Sequence, residues 1–167
     1  MNLTVHFSSA KQDWETPWPF FMQMDKRFGP FDLDVCATRE NTKCNRFYTK
    51  EVNGLLQSWI GNCWMNPPYG KEILFWVKKA TEEIHKKASQ VVCLLPARTD
   101  TGWWHDYVEH HAEKILFLRG RLKFEGARYS APFPSVIVIF KKKYEEHELN
   151  DRCLVERYRH TAEDFYI

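Results

Sequence analysis

The 167-residue sequence predicts an α/β fold with a mostly parallel sheet, an antiparallel edge and a single compact domain. Short apolar runs alternate with segments of helical periodicity along much of the chain, which is the pattern of strands joined by crossover helices. The closing apolar runs follow one another with no helix between them, and this indicates antiparallel pairing there.

The amino-terminal half predicts one helix and one short strand. Thr16 is a common N-cap residue and Pro17 suits the first helical position, so we expect a helix to begin there. Large apolar residues then recur at helical spacing until a Gly-Pro pair ends the helix. A short strand is predicted over residues 31–35, and the polar segment over residues 38–53 is expected to be irregular.

The rest of the chain contains most of the predicted strands. The apolar stripe from Ile73 to Ile84 predicts a helix, and a shorter helix is predicted over residues 103–111. Beyond Lys143 the sequence becomes a mixed-charge tail, so we expect a domain of residues 1–143 followed by a surface helix within residues 144–167. The predicted strands cover residues 61–65, 90–95, 114–118, 121–124 and 135–140.

Composition and charge exclude several classes of protein. The five cysteines are odd in number, form no CxxC pair and lie mostly in apolar runs, as buried free thiols of a reducing compartment do. Neither these cysteines nor the pair His110-His111 has the spacing of a metal site, so no metal is expected. No signal peptide or membrane span is evident, and a cytoplasmic protein is expected. The net charge of +2 leaves any nucleic-acid role to local patches, and the 16% aromatic content suits either base stacking or an aromatic core.

Unusual polar stretches follow three of the predicted strands. They are DVCA at residues 34–37, NPPY at residues 66–69 and PARTDT at residues 96–101. Ligands of open α/β sheets bind beyond the carboxyl ends of the strands. The three stretches are therefore expected to form one site.

The NPPY stretch is suited to binding an NH2 group. Proline has a fixed φ and no N–H, so Pro67 and Pro68 present carbonyl oxygens without competing donors, and Asn66 adds a side-chain oxygen. Acceptors that hold both hydrogens of an aromatic amine would make its lone pair directional, and Tyr69 could stack on the base. An ordinary Pro-Pro loop between a strand and a helix is the alternative.

The ordered motifs resemble the small phage-type DNA N6-adenine methyltransferases, which use S-adenosylmethionine. The resemblance runs from about Trp14 to Phe140, and it implies a Rossmann-like methyltransferase sheet. NPPY alone also occurs in enzymes that methylate cytosine N4 or protein glutamine, whereas the whole set is more specific. Its motifs are WETP, FGPFDLDVCA, NTKCNRFYT, NGL, WMNPPYG, LLPARTDT, GRLKF and APFPSVIVIF.

The resemblance implies a binding site for S-adenosylmethionine, with S-adenosylhomocysteine as product. Asp34 would meet the amino-acid part of the donor, although Val35 stands where the family often has proline. Asn53 replaces the usual aspartate of the segment that binds the adenine of the donor. Glu51 lies 17 residues beyond Asp34, near the ~20 at which a carboxylate binds ribose in related sheets, but a solvated glutamate remains the alternative. The implied cofactor-binding residues are Trp14, Thr16, Pro17, Asp34, Cys36, Ala37, Glu51, Asn53, Leu55 and Asn66.

Local positive charge predicts a face for double-stranded DNA. Six lysine and arginine side chains form this face. They either contact DNA phosphates or line the solvent side of an edge strand. Selectivity for a particular DNA sequence would come from loops such as residues 38–53 or 125–134. The predicted DNA-binding residues are Lys71, Arg98, Arg119, Arg121, Lys123 and Arg128.

The expected function is transfer of a methyl group to the N6 amine of a flipped-out adenine in DNA. The oligomeric state stays open, with a monomer favoured over an oligomer. Cytosine N4, RNA adenine and protein glutamine remain alternative substrates, and a non-catalytic DNA-binding module remains an alternative of another class. Whether the methylation protects DNA from a nuclease or is regulatory stays open.

Overall fold

The computed structural model describes residues 13–142 and, as backbone alone, residues 154–158. The two α-helices in these residues are α1 (Trp18–Phe28) and α2 (Ile73–Glu83). A short 3-10 helix (Gly54–Leu56) and a π-helical segment (Trp104–Glu109) complete the helical elements of this part of the chain. The strands are β1 (Leu33–Asp34), β2 (Arg46–Phe47), β3 (Gly61–Met65), β4 (Ala88–Pro96), β5 (Lys114–Leu118), β6 (Ser135–Lys141) and β7 (Leu154–Tyr158).

The described strands form one seven-stranded sheet in the order β2-β1-β3-β4-β6-β5-β7. The pairings β2 with β1, β1 with β3, β3 with β4 and β5 with β7 are parallel. Strand β6 lies between β4 and β5 and is antiparallel to both. The prediction of a mostly parallel sheet with antiparallel pairing among the closing strands is confirmed. Because β4 and β5 both oppose β6, the carboxyl ends of β1, β3, β4 and β5 share one edge of the sheet.

The core lies on the central strands and explains their unbroken apolar sequences. Every residue of β4 from Val91 to Pro96 is buried, as is every residue of β6 from Ser135 to Phe140. On α2 the predicted stripe is buried as expected, and it belongs to the same hydrophobic core as the residues of the central strands.

The strand predicted over residues 121–124 is wrong, because these residues form no strand. Leu122 and Phe124 are buried while Arg121 and Lys123 are exposed, so the alternation that suggested a strand is real. Strand β6 already pairs with both β4 and β5, which leaves no strand there for this segment to pair with. An irregular loop over residues 119–134 therefore carries the alternation.

The predicted N-cap of α1 is also wrong. Pro17 occupies the N-cap position, and no side chain caps the helix. The Thr16 hydroxyl instead accepts a hydrogen bond from Asn66, in the loop after β3. A tertiary contact therefore replaces the local one that the sequence suggested.

The expected helical tail is wrong at the residues that the structure describes. Leu154–Tyr158 is strand β7, which pairs in parallel with β5 and places Lys114 opposite Leu154. The open side of β5 provides the pairing partner, which a tail sequence read alone does not reveal. The other tail residues lie outside the described part of the chain, and the boundary at residue 143 stays a prediction.

The described cysteines are free thiols, as predicted. Burial raises the pKa of Cys36, Cys44 and Cys63 to about 12, so these thiols stay protonated at neutral pH. Cys153 lies outside the described residues. No helix within residues 13–142 has the length and apolarity needed to cross a membrane.

Candidate active site

The three polar stretches leave the same edge of the sheet. Asp34 at the end of β1 lies opposite Trp64, and Met65 at the end of β3 lies opposite Cys93. The segments that begin at residues 35 and 66 therefore start side by side, and β4 continues to Pro96 before the third segment leaves the same edge of the sheet.

The side chain of Asn66 is held in one orientation. Its Nδ2 donates to the carbonyl oxygen of Trp14 at 2.5 Å and to the Thr16 hydroxyl at 2.9 Å. Its Oδ1 is buried and has no hydrogen-bond partner in the described part of the chain. Both amide hydrogens are thus used by the protein, and the acceptor oxygen is left without a donor among the described residues.

The loop after Asn66 is fixed at several points. Pro67 is buried and Pro68 is half-buried, and neither has a backbone N–H. Tyr69 donates its hydroxyl to the carbonyl oxygen of Leu94 at 3.1 Å. Arg98 donates from Nη1 to the carbonyl oxygen of Tyr69 at 3.1 Å, so the loop after β4 braces the loop after β3.

Tyr69 is not the exposed stacking surface that the sequence suggested. Its side chain is only 3% exposed, and its ring lies 6.1 Å from that of Phe124 and 5.6 Å from that of Phe133. A base could stack on Tyr69 only if these two phenylalanines moved away.

An aromatic cluster of Trp14, Tyr69, Phe124 and Phe133 joins the NPPY loop to two distant segments. The Trp14 ring lies 5.2 Å from Phe124 and 5.1 Å from Phe133. Sequence reasoning gave no role to the two phenylalanines, although both belong to quoted motifs, GRLKF and APFP. The cluster explains how the loop over residues 119–134 is anchored against the site.

Asp34 organises the first predicted cofactor loop. Its Oδ1 accepts from the backbone N–H of Cys36 at 3.3 Å, and its Oδ2 accepts from the backbone N–H of Lys43 at 3.0 Å. Burial raises the pKa of Asp34 to about 6, although these two hydrogen bonds lower it. Ala37 in the same loop is buried and donates its N–H to the carbonyl oxygen of Tyr48.

The segment containing Asn53, Gly54 and Leu55 packs directly on that loop. A Cβ on Gly54 would lie 2.2 Å from the carbonyl oxygen of Val35, so only glycine permits this approach. Asn53 adopts a positive φ of 56°, and its Oδ1 accepts from the backbone N–H of Leu55 at 3.2 Å. This oxygen therefore caps the 3-10 helix, a role that sequence reasoning did not assign to it.

Glu51 lies on the surface near this segment. Its side chain is exposed, and a hydrogen bond from the Thr49 hydroxyl holds the pKa of the carboxyl below its usual value. The structure shows no contact between Glu51 and the loop at Asp34. Ribose binding by Glu51 stays a prediction.

Lys43 is a charged residue of the site that sequence reasoning missed. Its side chain is 2% exposed, and its Nζ lies 3.7 Å from Oε1 of Glu15 and 4.4 Å from the centre of the Trp18 ring. The Nζ has no hydrogen-bond partner among the described residues. Lysine in a polar loop sequence is normally solvated, so only the folded chain reveals its burial.

The predicted DNA-binding cations are all exposed. Lys71 follows the NPPY loop, and Arg98 is the residue that braces it. Arg119, Arg121, Lys123 and Arg128 belong to the loop over residues 119–134, which leaves the carboxyl end of β5 at the same sheet edge as the site. The guanidinium of Arg128 lies 5.2 Å from the centre of the exposed Tyr129 ring.

Several known proteins are similar in sequence to this chain. A family model described as DNA N-6-adenine-methyltransferase (Dam) matches residues 4–161. The DNA N-6-adenine-methyltransferase of Haemophilus phage HP1 is 37% identical over 143 residues, which cover 81% of this chain and 82% of that protein. The enzyme of the same name from Escherichia phage T1 is 38% identical over 104 residues, which cover 61% of this chain but only 43% of that protein.

A solved structure of the Type IIL restriction-modification enzyme MmeI in complex with DNA is also similar to this chain. It is 15% identical with a TM-score of 0.46, and the match covers 82% of this chain and 22% of that one. The family model and the HP1 relative, each matching most of the chain, decide the classification. The chain belongs to the DNA N-6-adenine-methyltransferase (Dam) family.

Proposed function

We propose that this chain transfers a methyl group from S-adenosylmethionine to the N6 amine of an adenine swung out of double-stranded DNA, and that Asn66 binds that amine. Membership of the family gives N6-adenine methylation of DNA as the reaction and implies S-adenosylmethionine as the donor. The observation that carries the role of Asn66 is its buried Oδ1, which has no hydrogen-bond partner in the described part of the chain.

An acceptor in this position suits an amine. Asn66 presents only an oxygen, because Trp14 and Thr16 occupy its two amide hydrogens. The Pro67 carbonyl is the second acceptor that we assign to the amine, since proline offers no competing N–H. An amine held by two acceptors has its lone pair directed away from them, which prepares it for in-line attack.

The chemistry needs orientation and charge complementarity more than a strong base. S-Adenosylmethionine supplies an electrophilic methyl on a sulfonium sulfur. A nitrogen–carbon bond forms as the sulfur–carbon bond breaks, and the nitrogen then loses one proton to solvent. Because Asn66 Oδ1 is already fixed, little reorganisation is needed as positive charge develops on the amine.

The DNA must present its adenine outside the helix, since the amine is otherwise paired and enclosed. We assign phosphate contact to the exposed cations of the loop over residues 119–134, and their exposure at the same sheet edge supports this assignment. Stacking of the base on Tyr69 requires Phe124 and Phe133 to move from their present contacts.

A methylation assay with labelled S-adenosylmethionine and duplex DNA tests the proposal. We expect Asn66→Ala to lower kcat by about 100- to 1000-fold, the usual effect of removing one preorganised polar contact to a transition state. Donor binding and thermal unfolding of the variant are measured alongside, so that a folding defect is recognised. Equal incorporation by wild type and Asn66→Ala would reject the role of Asn66.

Nucleoside analysis of the product tests the substrate. The expected product is N6-methyladenine in duplex DNA, with none in a duplex that contains only G and C. Methyl groups found on cytosine, RNA or glutamine would instead favour the corresponding alternative substrate.

A further inference from the structure

We infer that Lys43 binds the carboxylate of S-adenosylmethionine, beside the Asp34 loop that would receive its ammonium. The inference rests on the proposed function, because it takes S-adenosylmethionine as the ligand. It adds a charged contact that neither the motif pattern nor the family relationship assigns.

The Lys43 ammonium lacks a hydrogen-bond acceptor among the described residues. Its side chain is 2% exposed, yet its Nζ has no hydrogen-bond partner among the described residues. A buried ammonium whose N–H groups remain unsatisfied is costly, and an anionic ligand would offset that cost. Trp18 covers one side of the charge with its ring, 4.4 Å away, so the face toward an anion lies elsewhere.

Glu15 does not already fulfil this need. Its Oε1 lies 3.7 Å from Nζ, which is within ion-pair range but too long for a hydrogen bond. The Glu15 side chain is 39% exposed, so solvent stabilises its charge independently of Lys43. A ligand carboxylate could therefore form hydrogen bonds with Nζ that Glu15 does not form.

The position of Lys43 links the two parts of the proposed donor site. Its backbone N–H donates to Oδ2 of Asp34, which holds Lys43 beside the first cofactor loop. Its Nζ approaches Glu15, whose neighbours Trp14 and Thr16 hold the amide of Asn66. An amino-acid group bound between these segments would meet a carboxylate at Asp34 and an ammonium at Lys43, matching its own two charges.

The test compares two donors that differ only in the carboxylate. Calorimetry measures the affinity of wild type and Lys43→Met for S-adenosylmethionine and for decarboxylated S-adenosylmethionine. We expect wild type to prefer the carboxylated donor, and Lys43→Met to lose about 10- to 100-fold in affinity for it, as expected for one charged hydrogen bond. The affinity of the variant for the decarboxylated donor should stay within about twofold of wild type. Lys78→Met, at an exposed lysine of α2, is the matched control and should change neither affinity.

The outcomes separate this inference from the proposed function. An equal loss for both donors, or no loss for either, would overturn the role of Lys43 even if the enzyme methylates adenine. If wild type binds neither donor, the proposed function itself fails. Should Lys43→Met not fold, Lys43→Gln is measured in its place, and equal wild-type affinity for the two donors overturns the inference without any variant.

Discussion

The hydroxyl of Thr16 accepts a hydrogen bond from Nδ2 of Asn66 at 2.9 Å, across 50 residues of sequence. Together with the bond from the same nitrogen to Trp14, this contact fixes the orientation of the Asn66 amide and leaves its Oδ1 without a hydrogen-bond partner among the described residues. The WETP segment therefore orients the residue that we propose to bind the amine.

Replacing Thr16 should affect catalysis more than donor binding. Thr16→Val keeps the shape of the side chain but removes the acceptor, so the Asn66 amide loses one of the contacts that orient it. We expect kcat to fall about tenfold, which corresponds to the loss of one buried hydrogen bond. Thr16→Ser, which retains the hydroxyl, should stay near wild type. A loss of donor affinity with unchanged kcat would show that Thr16 acts on the donor instead.

The hydroxyl of Tyr69 should contribute to the stability of the folded chain, whereas only its ring should contribute to the rate of methylation. Tyr69→Phe removes the donor to Leu94 and leaves a buried carbonyl without that bond, so the free energy of unfolding should fall by about 1 kcal/mol. We expect the rate of methylation to be retained. Urea unfolding and steady-state kinetics measure the two quantities separately. A large loss of rate at full stability would mean that the hydroxyl takes part in the reaction.

Ionisation of Asp34 should destabilise the folded chain. Burial raises the pKa of its carboxyl from 3.8 to about 6, so the folded state keeps a proton that the unfolded state has lost between these values. The protonated Asp34 carboxyl therefore stabilises the folded state fully below pH 3.8, and this stabilisation is lost as the pH rises through about 6. Its size is roughly 3 kcal/mol, at 1.36 kcal/mol for each pH unit.

Asp34→Asn isolates this effect. The unfolding free energy of wild type minus that of the variant should decrease by roughly 3 kcal/mol between about pH 3.8 and pH 6. The altered hydrogen bonds add an offset that does not change with pH. Other carboxyls such as Glu83, whose pKa is lowered overall by its hydrogen bonds despite its burial, cancel in the difference. A pH-independent difference would mean that Asp34 titrates normally.

Charge removal in the loop over residues 119–134 should weaken DNA binding in a salt-dependent manner. The double variant Arg121→Ala and Lys123→Ala removes two exposed cations, and the slope of log affinity against log salt should fall by about 0.9 for each lost phosphate contact. Titration of labelled duplex at several salt concentrations measures that slope. The double variant Lys78→Ala and Lys87→Ala removes the same charge from α2 and from the segment before β4, and should leave it unchanged.

Local sequence was sufficient for the centre of the candidate site. The apolar run over residues 61–65 is strand β3 with the predicted bounds, and α2 begins at Ile73 as the stripe indicated. Between them the prolines prevent either element from continuing, which fixes Asn66 at the end of a strand. These features depend on neighbours in the chain, so a pattern of residue types determines them.

Contacts between segments far apart in the chain decided the later strands and the orientation of the polar side chains in the candidate site. Residues 121–124 alternate like a strand yet form none, whereas Leu154–Tyr158 joins the sheet, because strand formation depends on a free edge to pair with. The orientation of Asn66 and the burial of Lys43 likewise depend on Trp14, Glu15 and Thr16, which the fold brings from far along the chain. Sequence thus determined which residue types the site contains, and tertiary packing determined which of their polar atoms remain free to bind a ligand.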